Sequence, residues 1–202
     1  MRKFDGTELL VATHNSGKLV EMRQILGTRG IKISGAAEHK LPEPEETENT
    51  FLGNARIKAH AAAKATGLPA LSDDSGIEVQ ALDGAPGVYT ADWAETPNGR
   101  DFMQAMQKTH DLLEVKNAAH PRRARFCATL VLAWPDGHDE YVSGHVDGSL
   151  VWPPRGRDGH GYDPIFRPDG YDITFAEMDT DAKNKISHRA VAINALIEQI
   201  FA

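Results

Sequence analysis

Two of the stretches with adjacent carboxylates stand out as possible sites of chemistry. Glu45-Glu46 lies in an acidic, proline-containing segment, and Asp73-Asp74 runs into Ser75-Gly76. Carboxylates on two separate segments can share one hard cation, and magnesium takes one or two of them beside phosphate oxygens and water. Taken alone, the first stretch also reads as a solvated charge run and the second as a simple turn. Thr13, His14, Asn15, Ser16, Gly17 and Lys18 add hydroxyls, an amide, backbone N–H groups and an ammonium where a strand gives way to a helix. Unpaired N–H groups and the positive dipole end make that place favourable for phosphate. The spacing is not the Walker pattern, and alone it fits a polar turn with a conventional cap equally well.

Two later segments complete the set. Gly156-Arg157-Asp158-Gly159-His160-Gly161-Tyr162-Asp163-Pro164 brings two rings near flexible backbone, a chemistry suited to stacking on a base, although a hairpin loop has the same composition. Lys183-Asn184-Lys185-Ile186-Ser187-His188-Arg189 puts cations where the last helix is expected to begin, with Ser187 as its cap. The dipole repels cations at such an end, so an anion between them is one explanation and exposed charge the other.

Regular elements must hold these groups. The pattern predicts a strand over Leu9–Ala12, a helix from Lys18 to Leu26 ended by Gly27, a strand over Ile31–Ser34 and a loop over Leu41–Asn49. An alanine-rich helix follows over Thr50–Thr66, with Asn54 and Lys58 on one face and Gly67 and Pro69 as its stop. Ala70–Asp73 reads as a strand, Asp74-Ser75-Gly76 as a sharp bend, and Ile77–Leu82 as a second strand before a turn at 83–87. A helix over Arg100–Leu113, strands over Ala124–Trp134 and Tyr141–Val151, and a helix from His188 through Ile200 complete the pattern.

With 202 residues, 41% of them hydrophobic and 25% charged, the chain is expected to form one globular domain over 1–202, of one or two lobes. A formal net charge of −7 argues against a nucleic-acid coat protein, so anionic ligands need local features to hold them. Cys127 is the only cysteine, which excludes an intrachain disulfide and a thiolate zinc site and fits a reducing cytoplasm. The first residues lack the apolar stretch of a signal peptide, and no run is long enough to span a bilayer, so a soluble cytoplasmic protein is expected.

Taken in order, Thr13–Lys18, Glu46-Thr47-x-x-Thr50-Phe51-x-x-Asn54-Ala55-x-x-Lys58-Ala59, Asp73-Asp74-Ser75-Gly76, Pro86-Gly87-x-Tyr89, Ala124-Arg125-Phe126, Gly161-Tyr162-Asp163-Pro164-Ile165-Phe166 and Lys183-Asn184-x-Ile186-Ser187-His188-Arg189 resemble the inosine triphosphatase family, the dITP/XTP pyrophosphatases. Each stretch is modest, but their shared order over nearly the whole chain is specific. The resemblance implies an α/β fold with an elongated mixed β-sheet flanked by helices, two lobes around a nucleotide-binding cleft, and a homodimer. It implies hydrolysis of non-standard purine nucleoside triphosphates (ITP, dITP, XTP) to monophosphate and pyrophosphate, cleansing the nucleotide pool. It assigns Mg2+ to Glu46 and Asp74, the catalytic base to Asp74, and phosphate contacts to Thr13 through Lys18. Nucleotide contacts fall to Ser75, His160, Gly161, Tyr162, Asp163, Lys183, His188 and Arg189, and Lys58 joins Lys18 in offsetting phosphate charge. Water activated near Asp74 would attack the α-phosphorus.

Three positions depart from the family pattern. His14 stands where glycine is common, His160 where phenylalanine precedes Gly-Tyr-Asp, and Asp92 where bacterial relatives often have arginine. Two other functions fit parts of the sequence: a pyrophosphatase for pyrimidine or modified nucleotides, as in the Maf-like proteins, and a nucleotide sensor without hydrolysis.

Overall fold

The computed structural model describes residues 1–201; Ala202, the last position of the expected 1–202 domain, lies outside the described residues. Leu9, Leu10 and Val11 form the continuous apolar run of a strand covered on both faces. They lie in β1 (Glu8–Val11), which pairs in parallel with β2 (Lys32–Gly35) and β3 (Ala70–Val79), Leu9 opposite Ile33 and Leu10 opposite Ala70. The intervening helices are α1 (Ser16–Gly27) and α2 (Phe51–Thr66). Then come β4 (Pro86–Gly87), the hairpin β5 (Glu95–Thr96) and β6 (Gly99–Arg100), α3 (Phe102–Val115), β7 (Arg122–Ala133), β8 (Asp139–Leu150), β9 (Phe166–Pro168), α4 (Thr180–Ile186) and α5 (His188–Ile200). The main sheet runs β2-β1-β3-β7-β8-β9 with β4 beside β3, seven strands of mixed direction, as the expected fold class requires.

The chain divides into two compact units. The first comprises Met1–Asp74, Thr129–Ser143 and Ala192–Ala202, and the second Ser75–Ala128 and Gly144–Val191. In the first, small residues dominate: Ala55, Ala59, Ala62 and Ala63 of α2 pack on Leu10, Ala70, Val131 and Ala133 of the strands. In the second, the core is large and aromatic, with Tyr162, Phe166 and Phe175 fully buried alongside Ile77, Leu113 and Ile165. Each such side chain contributes about 1.5–3 kcal/mol by leaving water.

Local sequence accounts for most boundaries. Thr50 caps α2 by accepting the Gly53 N–H at 3.1 Å, and Gly67 ends it in the left-handed conformation at φ 69°. Asp101 caps α3 through the N–H groups of Met103 and Gln104, so the helix begins at Phe102 rather than Arg100. Asn15 caps α1 by accepting the Lys18 N–H at 3.1 Å. Ser16, Gly17 and Lys18 are therefore the first turn of the helix rather than a loop before it.

Two expectations are corrected. β3 is one continuous strand of 10 residues through Asp73-Asp74-Ser75-Gly76, with no bend there. Turn propensity of Asp, Ser and Gly yields to pairing on both of its ends, with β1 near Ala70 and with β4 near Ile77. The segment at 183–186 does not open the last helix. It belongs to the separate helix α4, capped by Asp179 through the N–H groups of Asp181 and Ala182. Lys183 and Lys185 thus occupy a last turn, where the dipole favours cations, and their presence needs no bound anion to explain it. Ser187 both ends α4 and caps α5, its hydroxyl accepting the Ala190 N–H at 3.1 Å.

The lone thiol of Cys127 is half-buried and donates to Glu78 at 3.6 Å. Burial and the neighbouring Glu78 carboxylate push its pKa up to about 12.

Candidate active site

In the first unit the ionisable groups gather on three elements. The middle of β3 presents Asp73 and Asp74, both buried; α1 supplies Lys18 and α2 supplies Lys58. Lys18 Nζ donates to Asp73 Oδ2 at 2.7 Å. Lys58 Nζ donates to Glu46 Oε1 and lies 4.0 Å from Asp74 Oδ1. Burial pulls the Lys58 ammonium down, but the Asp74 charge, the Glu46 hydrogen bond and Asp73 together outweigh it and hold the group above the ordinary lysine value.

The acidic segment is tied to this cluster from both ends. Asn54, buried on α2 one turn before Lys58, accepts the Glu48 N–H at 2.9 Å through its side chain. His14 Nε2 bonds the Leu41 carbonyl oxygen at 2.9 Å, so the exposed ring of the first loop holds the start of the acidic one. Thr13 Oγ1 accepts the Asn15 N–H at 3.2 Å and shapes the turn into α1. The first intrahelical bond there runs from Leu19 N to Asn15 O at 3.1 Å, which leaves the amides of Ser16 and Gly17 in the orphan positions of a helix start.

In the second unit Asp163 is the organising group. Its side chain is 4% exposed, accepts the His160 N–H at 2.6 Å on Oδ2, and receives Lys183 Nζ on the same oxygen. Lys183 Nζ also lies 5.6 Å from the centre of the Phe175 ring. Gly159 adopts φ 87°, and a Cβ there would fall 2.4 Å from Asp163 Oδ2, so only glycine lets the loop close over that carboxylate. Tyr162 packs edge-on to Phe102 inside the core, and burial raises its phenol to about 12. The ring this segment leaves exposed for stacking is therefore His160 alone. His188 lies flat on Phe126, centres 4.9 Å apart and planes 10° apart, while Arg189 beside it is half-buried at the start of α5.

The residues singled out by sequence thus form two groups: Lys18, Glu46, Lys58 and Asp74 with the 13–17 turn in the first unit, and His160, Gly161, Tyr162, Asp163, Lys183, His188 and Arg189 in the second. Ser75, half-buried on β3, follows Asp74 directly and is the first residue of the second unit. Sequence reasoning left two roles unassigned. Asp73 is the partner of Lys18, and Asn54 is the anchor of the acidic segment; Asn54 at four residues before Lys58 was the visible signal. Glu45 is exposed, and so is Asp92.

Residues 9–199 match the model of the Ham1 family. A protein of Ruegeria pomeroyi named dITP/XTP pyrophosphatase is 68% identical over 99% of this chain and 98% of its own length. One of the same name from Agrobacterium fabrum is 56% identical over 98% of each. The solved HAM1 protein of Coxiella burnetii superposes with a TM-score of 0.89 at 39% identity, covering 95% of this chain and 96% of that one. With a family match over nearly all of its length and relatives this close end to end, the chain belongs to the Ham1 family.

Proposed function

We propose that the protein hydrolyses non-standard purine nucleoside triphosphates (ITP, dITP and XTP) to monophosphate and pyrophosphate, and so removes them before polymerases can use them. The observation that carries the reading is the convergence of Glu46 and Asp74 on the Lys58 ammonium, beside the Asp73–Lys18 pair, within a chain of this family. Two carboxylates from different segments already face one cation, and that donor set fits magnesium, which needs few protein ligands when phosphate and water supply the rest. Glu46 and Asp74 would hold the ion, and once bound it would polarise phosphate oxygens as a Lewis acid.

Asp74 would take a proton from water as its oxygen bonds the α-phosphorus. The bridging α–β oxygen keeps the electron pair of the bond that breaks and leaves with pyrophosphate. Lys18, Lys58 and the first-turn amides of α1 offset the negative charge that moves to the leaving group. Thr13, His14 and Asn15 hold the turn that presents those amides.

Base contacts are assigned, on the family resemblance, to residues of the loop at 160–163 and of the segment at 183–189. A guanidinium only donates, so Arg189 rewards a 6-oxo purine and opposes the 6-amino group of adenine. His160 offers a stacking face, and Asp163 with Lys183, Ser75 and His188 supplies the remaining polar contacts, while Gly161 and Tyr162 fix the loop. We further assign a homodimer in the cytoplasm, on the strength of the family resemblance and of a single, unpaired-by-disulfide cysteine. No helix among the described residues is long and apolar enough to cross a membrane.

The test is to incubate purified protein with ITP, XTP, GTP and ATP, with magnesium and with chelator, and to quantify pyrophosphate against orthophosphate. Pyrophosphate from ITP and XTP, only with magnesium and with little from ATP or GTP, is expected. Orthophosphate as the product, or equal turnover of ATP, would overturn the reading.

A further inference from the structure

The second unit contains a cavity of about 210 Å³ whose lining includes none of the residues proposed to touch the nucleotide. Leu113, Leu150 and Ile165 form an apolar floor. One wall is a ring pair, His110 lying flat on Trp152 with centres 4.2 Å apart and planes 5° apart. Arg122, from the first position of β7, closes another side and is only 7% exposed.

Arg122 is incompletely satisfied. Its Nη2 donates to Glu114 Oε1 at 2.5 Å and its Nη1 to His110 Nδ1 at 3.3 Å, while Nε is buried with no hydrogen-bond partner among the described residues. Glu114, itself part of the lining, is the carboxylate partner of this cation, and its side chain is 58% exposed, so it can turn to water when another anion takes its place. His120, exposed at the rim, adds another donor. A guanidinium whose fork is part-filled, an apolar floor and a flat aromatic wall are the parts of a site for a ligand with a charged end and a planar body.

We propose that this cavity binds a small organic anion, a planar apolar body of roughly ten non-hydrogen atoms or fewer, which lies against the Trp152–His110 pair and directs a carboxylate or phosphate to Arg122. The apolar body excludes bare inorganic phosphate as the preferred ligand, since such an ion would desolvate against Leu113, Leu150 and Ile165 without return.

The full-length protein can be titrated with benzoate, phenyl phosphate, inorganic phosphate and the neutral benzyl alcohol, following the Trp152 indole N–H resonance, assigned with Trp152→Phe. We expect a saturable shift with at least one aromatic anion, and binding weaker by about 10-fold or more for benzyl alcohol and for the Arg122→Met variant, because a hydrogen bond to a charged group is lost. Tighter benzoate assigns a carboxylate ligand, and tighter phenyl phosphate a phosphomonoester. Should Arg122→Met fail to fold, His120→Ala at the exposed rim is expected to weaken the same anion by roughly 2–5-fold. No saturable shift, equal affinity for benzyl alcohol, tighter inorganic phosphate, or parent-like affinity in the folded variants would each overturn the proposal. Pyrophosphatase activity is measured separately, so failure here leaves the proposed reaction untouched.

Discussion

Each unit places a half-buried lysine against a carboxylate, yet the two pairs are built differently. In the first unit Lys58 shares its ammonium between buried Asp74 and Glu46, whose side chain is 36% exposed on an irregular segment, over a core of alanines. In the second, Lys183 meets an Asp163 that is almost wholly enclosed, fixed also by the His160 N–H, and set beside Phe175 in an aromatic core. The first arrangement can exchange partners at modest cost, which suits the moving charge of the proposed chemistry. The second holds one geometry, which suits the base recognition proposed for it.

The sharpest way to break this contrast is at Asp74. Asp74→Asn keeps size but removes basicity and charge, so turnover of ITP is expected to fall about 10²–10⁴-fold while nucleotide affinity by calorimetry survives. Near-normal turnover would take chemistry away from the first unit. Removing one carboxylate in each unit then compares their rigidity. Asp163→Ala takes the acceptor from a half-buried ammonium and from the His160 N–H, and is expected to lower unfolding free energy by about 3 kcal/mol in a denaturant titration. Glu46→Gln is expected to cost no more than about 1 kcal/mol and chiefly to raise the magnesium needed for activity. Equal costs would erase the distinction. Arg189→Ala tests recognition itself: the ratio of kcat/KM for ITP over ATP is expected to drop by roughly 10²-fold, and an unchanged ratio moves base reading elsewhere.

The smallest effect concerns pH. Lys58 titrates above the ordinary lysine value, so its stabilising contribution is complete below the unfolded pKa of about 10.4 and is lost as pH rises through the higher folded value. The stability difference between the parent and Lys58→Met is therefore expected to stay level from neutral pH to about pH 10 and to shrink above it, as urea titrations along that range would measure. A difference that changes between pH 6 and 8 would assign it to another group.

How much of this was readable in advance depended on range. Thr50 and Gly67 mark α2 through bonds spanning three or four residues, so a linear reading finds them. The family pattern supplied Lys58 and Asp74 by order alone. What escaped were features decided by distant chain: β3 stays extended through Ser75-Gly76 because β1 and β4 pair with its ends, and no local rule contains that information. α4 escaped for another reason. At 7 residues it is too short for apolar periodicity to register, and its only signal was the Asp179 cap. Tyr162 looked like a stacking ring because sequence states a residue's type and not the direction it faces, and its ring lies in the core.

The pairing of Lys18 and Lys58 with Asp73, Asp74 and Glu46 also determines how a polyanion meets the first unit. Two formal positive charges face three negative ones, a remainder of −1. A naked triphosphate approaching that remainder is repelled, whereas one that arrives already neutralised by a divalent ion reverses the sign of the encounter. On the proposed reading, the metal-loaded nucleotide is the species the protein captures, and the free nucleotide competes poorly even when it is abundant.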